Sequence, residues 1–154
     1  TDRSIFYNKE DVNLDLKVNI GDANVLHTGS DITIIGISGA VSMILSALED
    51  FNENKISVEI IDVRSLAPLD KQTILKSVRK TGKVVIVDTA HKTCSAASEI
   101  SSIIAEEIFF ALKAPIGIVA YDNVPIPFAK VLELELMPTK EKILRKVLDI
   151  HGNL

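Results

Sequence analysis

The residues best equipped for chemistry stand in one short run, Asp88-Thr89-Ala90-His91-Lys92-Thr93-Cys94-Ser95. An imidazole can take a proton from a thiol, so His91 as base and Cys94 as nucleophile are one reading, provided a third group orients the pair. An ordinary polar loop, placed at an interface, is the other, and it is the reading kept. Asp62-Val63-Arg64-Ser65-Leu66-Ala67-Pro68-Leu69-Asp70 is the second distinctive run. Arg64 offers a planar fork suited to a carboxylate, either within the domain or across a subunit contact. Asp70, just ahead of a helical pattern, is expected to cap it.

Two other segments carry weaker signals. Gly36-Ile37-Ser38-Gly39-Ala40 follows an apolar run, where a helix N-terminus can meet an anion. It lacks both the G-x-G-x-x-G spacing and a Walker-type Lys, so a tight strand-to-helix turn is the expected use. Gly21-Asp22-Ala23-Asn24 shares its opening with the Gly-Asp-Gly pattern that holds magnesium and a diphosphate, but the second Gly and the spacing fail. It reads as a surface turn. His27 and His151 lie in polar stretches and are expected to be exposed without a role.

These loops need a scaffold, and the hydrophobic pattern supplies one. Apolar, β-branched runs at 31–37, 56–63, 83–88 and 116–121 have strand length, and the first is apolar enough to be buried on both faces. Between them lie helical patterns. Val41, Ile44, Leu45, Leu48 and Phe51 fall on one stripe; Ile74, Leu75 and Val78 form another, closed by Gly82. A helix over 97–113 should bury Ile100, Ile103, Ile104, Ile108 and Leu112. After Pro125 and Pro127, which interrupt regular structure, short helical residues near 129–135 lead to a last helix with Ile143, Leu144, Val147 and Leu148 inward.

Alternating strands and helices joined by right-handed crossovers predict an α/β fold: three layers around a mainly parallel, five-stranded sheet. Residues 1–30, including a short strand at 4–7, read as a connector, and 31–154 as the domain. The chain opens on Thr1 and reads as part of a longer polypeptide.

Bulk properties narrow the function. With 154 residues, 47% hydrophobic and 25% charged, the chain can bury a core without staples. A net charge of -4 with scattered Lys and Arg gives no phosphate-tracking surface, so nucleic acid is not an expected partner. One cysteine makes no internal disulfide and no recognisable zinc site, which fits a reducing, cytoplasmic setting. The apolar runs are too short to span a bilayer, so no membrane association is expected.

Taken in order, Gly21-Asp22-Ala23-Asn24-Val25, Gly29-Ser30-Asp31-Ile32-Thr33-Ile34 and the run from Ile56 to Asp70 resemble the transketolase C-terminal domain family. Asp122-Asn123-Val124-Pro125-Ile126-Pro127-Phe128-Ala129 resembles the Asp-Thr-Pro-x-Pro-Tyr-Ala segment of one branch, the beta subunits of pyruvate and branched-chain 2-oxo acid dehydrogenases. Residues 4–8 look like the end of that subunit's pyrimidine-binding domain. One segment departs. Where the family reads His-Glu-Ala-x-Arg-Thr-x-Gly-Phe-Gly-Ala-Glu, this chain has Asp88 through Glu99 without the His, the Glu or either Gly. Ala96 and Ala97 adopt positive backbone dihedrals less freely than Gly, which puts the loop's family role in doubt.

The resemblance implies that thiamine diphosphate and Mg2+ are held by the parent enzyme between other domains, and that this domain has no catalytic, cofactor or metal residues of its own. Its implied role is assembly with an alpha-type subunit and a second beta subunit, and in some complexes docking of the dihydrolipoyl acyltransferase. Arg64, His91, Asp122, Pro125, Pro127, Glu133, Glu135 and Asp149 are the interface candidates, the carboxylates among them meeting basic partner residues. A solvated face is the plainer account of those acids. Alternatives are another thiamine-dependent enzyme's domain, a non-catalytic binding module of the same fold, and a free-standing small enzyme using His91 and Cys94.

Overall fold

A computed structural model describes residues 17–152; the strand expected at 4–7 lies outside them. Its sheet has five strands in the order β1-β3-β2-β4-β5, with β1 Asn24–His27, β2 Ile32–Ile37, β3 Val58–Asp62, β4 Val84–His91 and β5 Gly117–Tyr121. Strands β2 to β5 run parallel, and β1 pairs antiparallel with β3, Asn24 opposite Asp62. The three-layer α/β expectation holds. The sheet, however, begins before Asp31, inside the stretch read as connector. Asn24-Val25-Leu26-His27 is short and half polar, so it carries too little apolar signal to announce a strand.

Central β2 explains the layering. All six of its residues are buried. Ile32 and Ile34 join Val58, Ile60, Val85 and Val87 against α1 Ala40–Ser46, α2 Leu48–Glu53 and α6 Lys140–Gly152. Ile35 and Ile37 turn the other way, with Val84 and Ile86, against α3 Lys71–Thr81 and α4 Ala96–Ile108. A period of two thus builds two aliphatic cores on one strand.

Three helices differ from the sequence reading. The stripe expected from Val41 to Phe51 is two helices broken at Ala47, and the buried positions are Ala40, Ile44, Ala47 and Phe51, with Leu45 turned outward. Small alanines made the inner face and gave no periodic signal. The helix expected to reach Lys113 stops at Ile108 and continues as one 3₁₀ turn, Phe109–Ala111. Leu148, expected inward on α6, is 40% exposed. Both expected caps form: Asp70 accepts from Thr73 N at 3.0 Å, and Gly82 ends α3 at φ 75.

The inner face of α3 is partly polar. Thr33 Oγ1, on β2, lies 2.8 Å from both Ser77 Oγ and Thr81 Oγ1, and Thr81 Oγ1 also donates to Lys83 O. Beside this network Glu59 is almost fully buried and pairs with Lys80. Burial resists its charge, but hydrogen bonds from Lys80, Ser77 and the Gly29 N–H outweigh burial and hold Glu59 below its usual value. A carboxyl depressed in the folded state stabilises above its unfolded pKa and loses that contribution as pH falls through the folded one. Urea denaturation is therefore expected to show stability falling as pH drops below 4.5. Glu59→Gln should make that slope shallower without removing it, because Asp31 and Asp70 are lowered too: Asp31 mainly by the Ser57 N–H, and Asp70, against its burial, by Thr73 and the Ala23 N–H.

Candidate functional site

The carboxyl ends of β2, β3 and β4 open into a cleft of about 1210 Å³. Each strand delivers to it one non-glycine residue in the left-handed region: Ser38 at φ 55, Arg64 at φ 55 and Cys94 at φ 56. Such dihedrals are costly for L-residues, and here they turn three chains sharply outward around one space. Asp62, Asp88, Thr89 and Tyr121 also line it, and Glu133 and Met137 reach it from α5 Lys130–Leu136 and the residue after that helix.

The electrostatics of the cleft are largely internal. Asp88, nearly fully buried, accepts from Ala90 N at 3.1 Å and Ala97 N at 3.3 Å, so its carboxylate closes the loop onto the start of α4. Ser95 completes the cap, accepting from Ser98 N at 3.1 Å and donating to Lys92 O at 3.0 Å. These contacts consume the anion-binding capacity of that helix N-terminus. Arg64 pairs locally, its Nε 3.8 Å from Asp62 Oδ2 and its N–H donating to Asp62 Oδ1 at 3.1 Å. A partly exposed pair of that length contributes about 1 kcal/mol at most.

The loop that departs from the family pattern folds without strain at its alanines. Ala96 and Ala97 are helical, Ser95 is extended, and the positive dihedral falls on Cys94. Loss of the glycines therefore leaves the turn intact.

His91 and Cys94 are not brought together as a dyad. His91 Nε2 donates to Val124 O at 3.0 Å, and its ring lies against Tyr121 with centroids 5.9 Å apart. Cys94 is exposed at the cleft rim. His91 instead ties the end of β4 to the double-proline segment. Its expected exposure aside, His27 is half-buried and donates from Nδ1 to Val58 O at 2.8 Å; His151 is also half-buried.

The remaining interface candidates separate. Asp122 and Pro125 are exposed and Pro127 half-buried; Glu133 faces the cleft, Glu135 points to solvent, and Asp149 sits near Lys146, 3.9 Å away. No single acidic face results. The exposed side chains of this stretch are instead largely apolar: Val124, Ile126, Phe128, Val131, Leu132 and Leu134 are all exposed, and α5 buries none of its residues. The sequence pattern marks this stretch only as a proline interruption followed by a short helix, because helical spacing alone does not tell an inward stripe from an outward one.

A diphosphate-metal site does not fit these residues. Asp22, in an exposed turn, accepts from Asn19 Nδ2 at 2.9 Å, while Asn24 enters β1. Among the described residues no group of three or more His, Cys, Asp or Glu side chains could hold a metal ion, and no helix is long and apolar enough to cross a membrane.

Comparison with known proteins agrees with this architecture. The family model for "Transketolase, C-terminal domain" matches residues 21–143. The chain is 35% identical over 133 residues to the acetoin:2,6-dichlorophenolindophenol oxidoreductase subunit beta of Bacillus subtilis, covering 86% of this chain and 39% of that protein. It is 38% identical over 127 residues to the pyruvate dehydrogenase E1 component subunit beta of Rickettsia felis, covering 82% and 39%. Against the mitochondrial E1 subunit beta-1 of Arabidopsis thaliana, identity is 40% over 126 residues, covering 82% and 35%. The chain thus spans well under half the length of these curated relatives. A solved split gene transketolase, described as an inactive beta4 tetramer, superposes with TM-score 0.79 over 94% of this chain and 46% of its own, at 23% identity.

Proposed function

Since the chain belongs to the transketolase C-terminal domain family, we propose that it is the C-terminal assembly domain of the beta subunit of a thiamine-diphosphate-dependent 2-oxo acid dehydrogenase. The observation that carries this reading is the 38–40% identity to pyruvate dehydrogenase E1 beta subunits over most of the chain but only 35–39% of their length. A part of that size, with no catalytic dyad in its cleft and an apolar face outside it, suits a supporting role. The pyrimidine-binding domain precedes it in the parent, and thiamine diphosphate with Mg2+ sits at domain junctions elsewhere, where it supplies the carbanion chemistry of decarboxylation. This chain's residues hold the sheet and present the face. A second beta subunit packs on that face, an alpha-type subunit completes the enzyme, and the acyltransferase receives the acyl group, all in the cytoplasm.

The substrate is pyruvate or a branched-chain 2-oxo acid. Acetoin is a second reading, favoured by the 35% and 38% identity to acetoin oxidoreductase beta subunits. The test uses the full-length parent co-expressed with its alpha-type neighbour and assayed for thiamine-diphosphate-dependent reduction of dichlorophenolindophenol with each substrate. Activity with one of them, lost on deleting residues 31–154 and retained in Cys94→Ala, is the expected result. Inactivity with every substrate in an assembled, cofactor-loaded complex would overturn it and favour a binding module of the same fold.

A further inference from the structure

A second, smaller pocket of about 260 Å³, sharing no lining residue with the cleft, lies between β5, the loop after β4 and α6. Its charged lining is Lys92, Lys142, Arg145, Lys146, Asp122 and Asp149, an excess of two positive charges on a chain whose net charge is -4. Three of the cations stand within five residues of α6, on neighbouring turns where like charges repel, and Lys92 arrives from a different element.

The geometry leaves these cations with donors to spare. Lys142 Nζ donates to Met137 O at 2.8 Å and to Glu135 O, which holds its three-donor ammonium in place with one N–H unused. Lys146 Nζ is 3.9 Å from Asp149, too far for a hydrogen bond. Its stem lies over Gly117, where an added Cβ would come within 3.2 Å of Lys146 Cγ, so the absence of a side chain at Gly117 lets Lys146 lie close to the sheet. Arg145 adds a planar fork, the group best matched to a tetrahedral oxyanion.

We propose that this pocket binds the phosphate group of a small hydroxylated phosphate ester. A phosphate monoester carries about -1.5 to -2 charge at neutral pH, which balances the excess. The volume is below the roughly 300–1,000 Å³ of drug-sized sites, so it suits a phosphate with a few carbons. Asp122 and Asp149 are placed to accept from hydroxyls of the same molecule. The proposal does not depend on the assembly reading above.

The test is an NMR titration of the 154-residue chain in phosphate-free buffer, with inorganic phosphate, glycerol 3-phosphate and a hexaglutamate peptide, each at matched ionic strength. Saturable shifts confined to residues 92, 118–122 and 142–149, stronger with glycerol 3-phosphate than with phosphate, are expected. Arg145→Gln with Lys146→Gln should weaken binding at least ~10-fold, with its circular dichroism unchanged, while Lys71→Gln on α3 leaves binding as it was. Equal shifts with sodium chloride, or binding undiminished in the double variant, would overturn the proposal. Preference for hexaglutamate would overturn it in favour of an acidic protein partner.

Discussion

Phe128→Asp combined with Leu132→Asp is expected to leave the chain folded and strictly monomeric in light scattering, whereas the unsubstituted chain is expected to dimerise across micromolar concentrations. Phe128 is fully exposed and Leu132 is 56% exposed, so neither substitution removes a core contact. In a dimer through this face each side chain contributes about 1.5–3 kcal/mol of apolar burial. Introduced carboxylates forfeit that and add an unpaired charge in the contact. The combined loss raises the dissociation constant by at least ~100-fold. An unsubstituted chain that is monomeric at every concentration would remove this face from the assembly reading.

The second large effect concerns folding itself. Gly29→Ala is expected to lower the melting temperature by about 10 °C, corresponding to roughly 3 kcal/mol for a domain of this size. A Cβ on Gly29 would stand 2.2 Å from the Val58 carbonyl carbon and oxygen and 2.7 Å from the Ser57 carbonyl carbon. Those atoms belong to the backbone at the start of β3, which cannot swing aside as a side chain can. The Gly29 N–H also serves the buried Glu59 carboxylate, so displacement there disturbs the ion pair with Lys80. Gly82→Ala is the useful comparison. The three atoms nearest its Cβ all belong to the flexible Lys113 side chain, and its φ of 75 costs an alanine about 1–2 kcal/mol. If thermal denaturation gives Gly29→Ala the smaller loss of the two, the steric account is wrong.

The four parallel strands were legible because each is a β-branched run that must be buried, and the caps at Asp70 and Gly82 were legible because the residue types are dictated by local backbone need. The edge strand Asn24–His27 was not, since it pairs on one side only and needs little apolar content. The inner face of α1 and α2 was legible in part: Ile44 and Phe51 lie on the expected stripe and are buried, while Ala40 and Ala47, which pack beside them, gave no signal. At the cleft, the sequence showed which strand ends would supply polar groups. It could not show that Asp88 is spent on Ala90 and Ala97, or that His91 turns toward Val124 and away from Cys94. The basic pocket was invisible for a related reason: Lys92 and Arg145 lie over fifty positions apart along the chain and share a rim only after folding.

The edge pairing has a mechanical side. β1 is joined to the rest through a handful of ladder contacts with β3, a bulge between Val25 and His27, and two side-chain ties, His27 Nδ1 to Val58 O at 2.8 Å and Ala23 N to Asp70 Oδ2 at 3.1 Å. An antiparallel edge strand pulled from its free end gives way one rung at a time, because tension falls on each hydrogen bond in turn. A load arriving through the preceding polypeptide would therefore peel β1 away and be spent there, leaving β2 to β5 and both aliphatic cores closed.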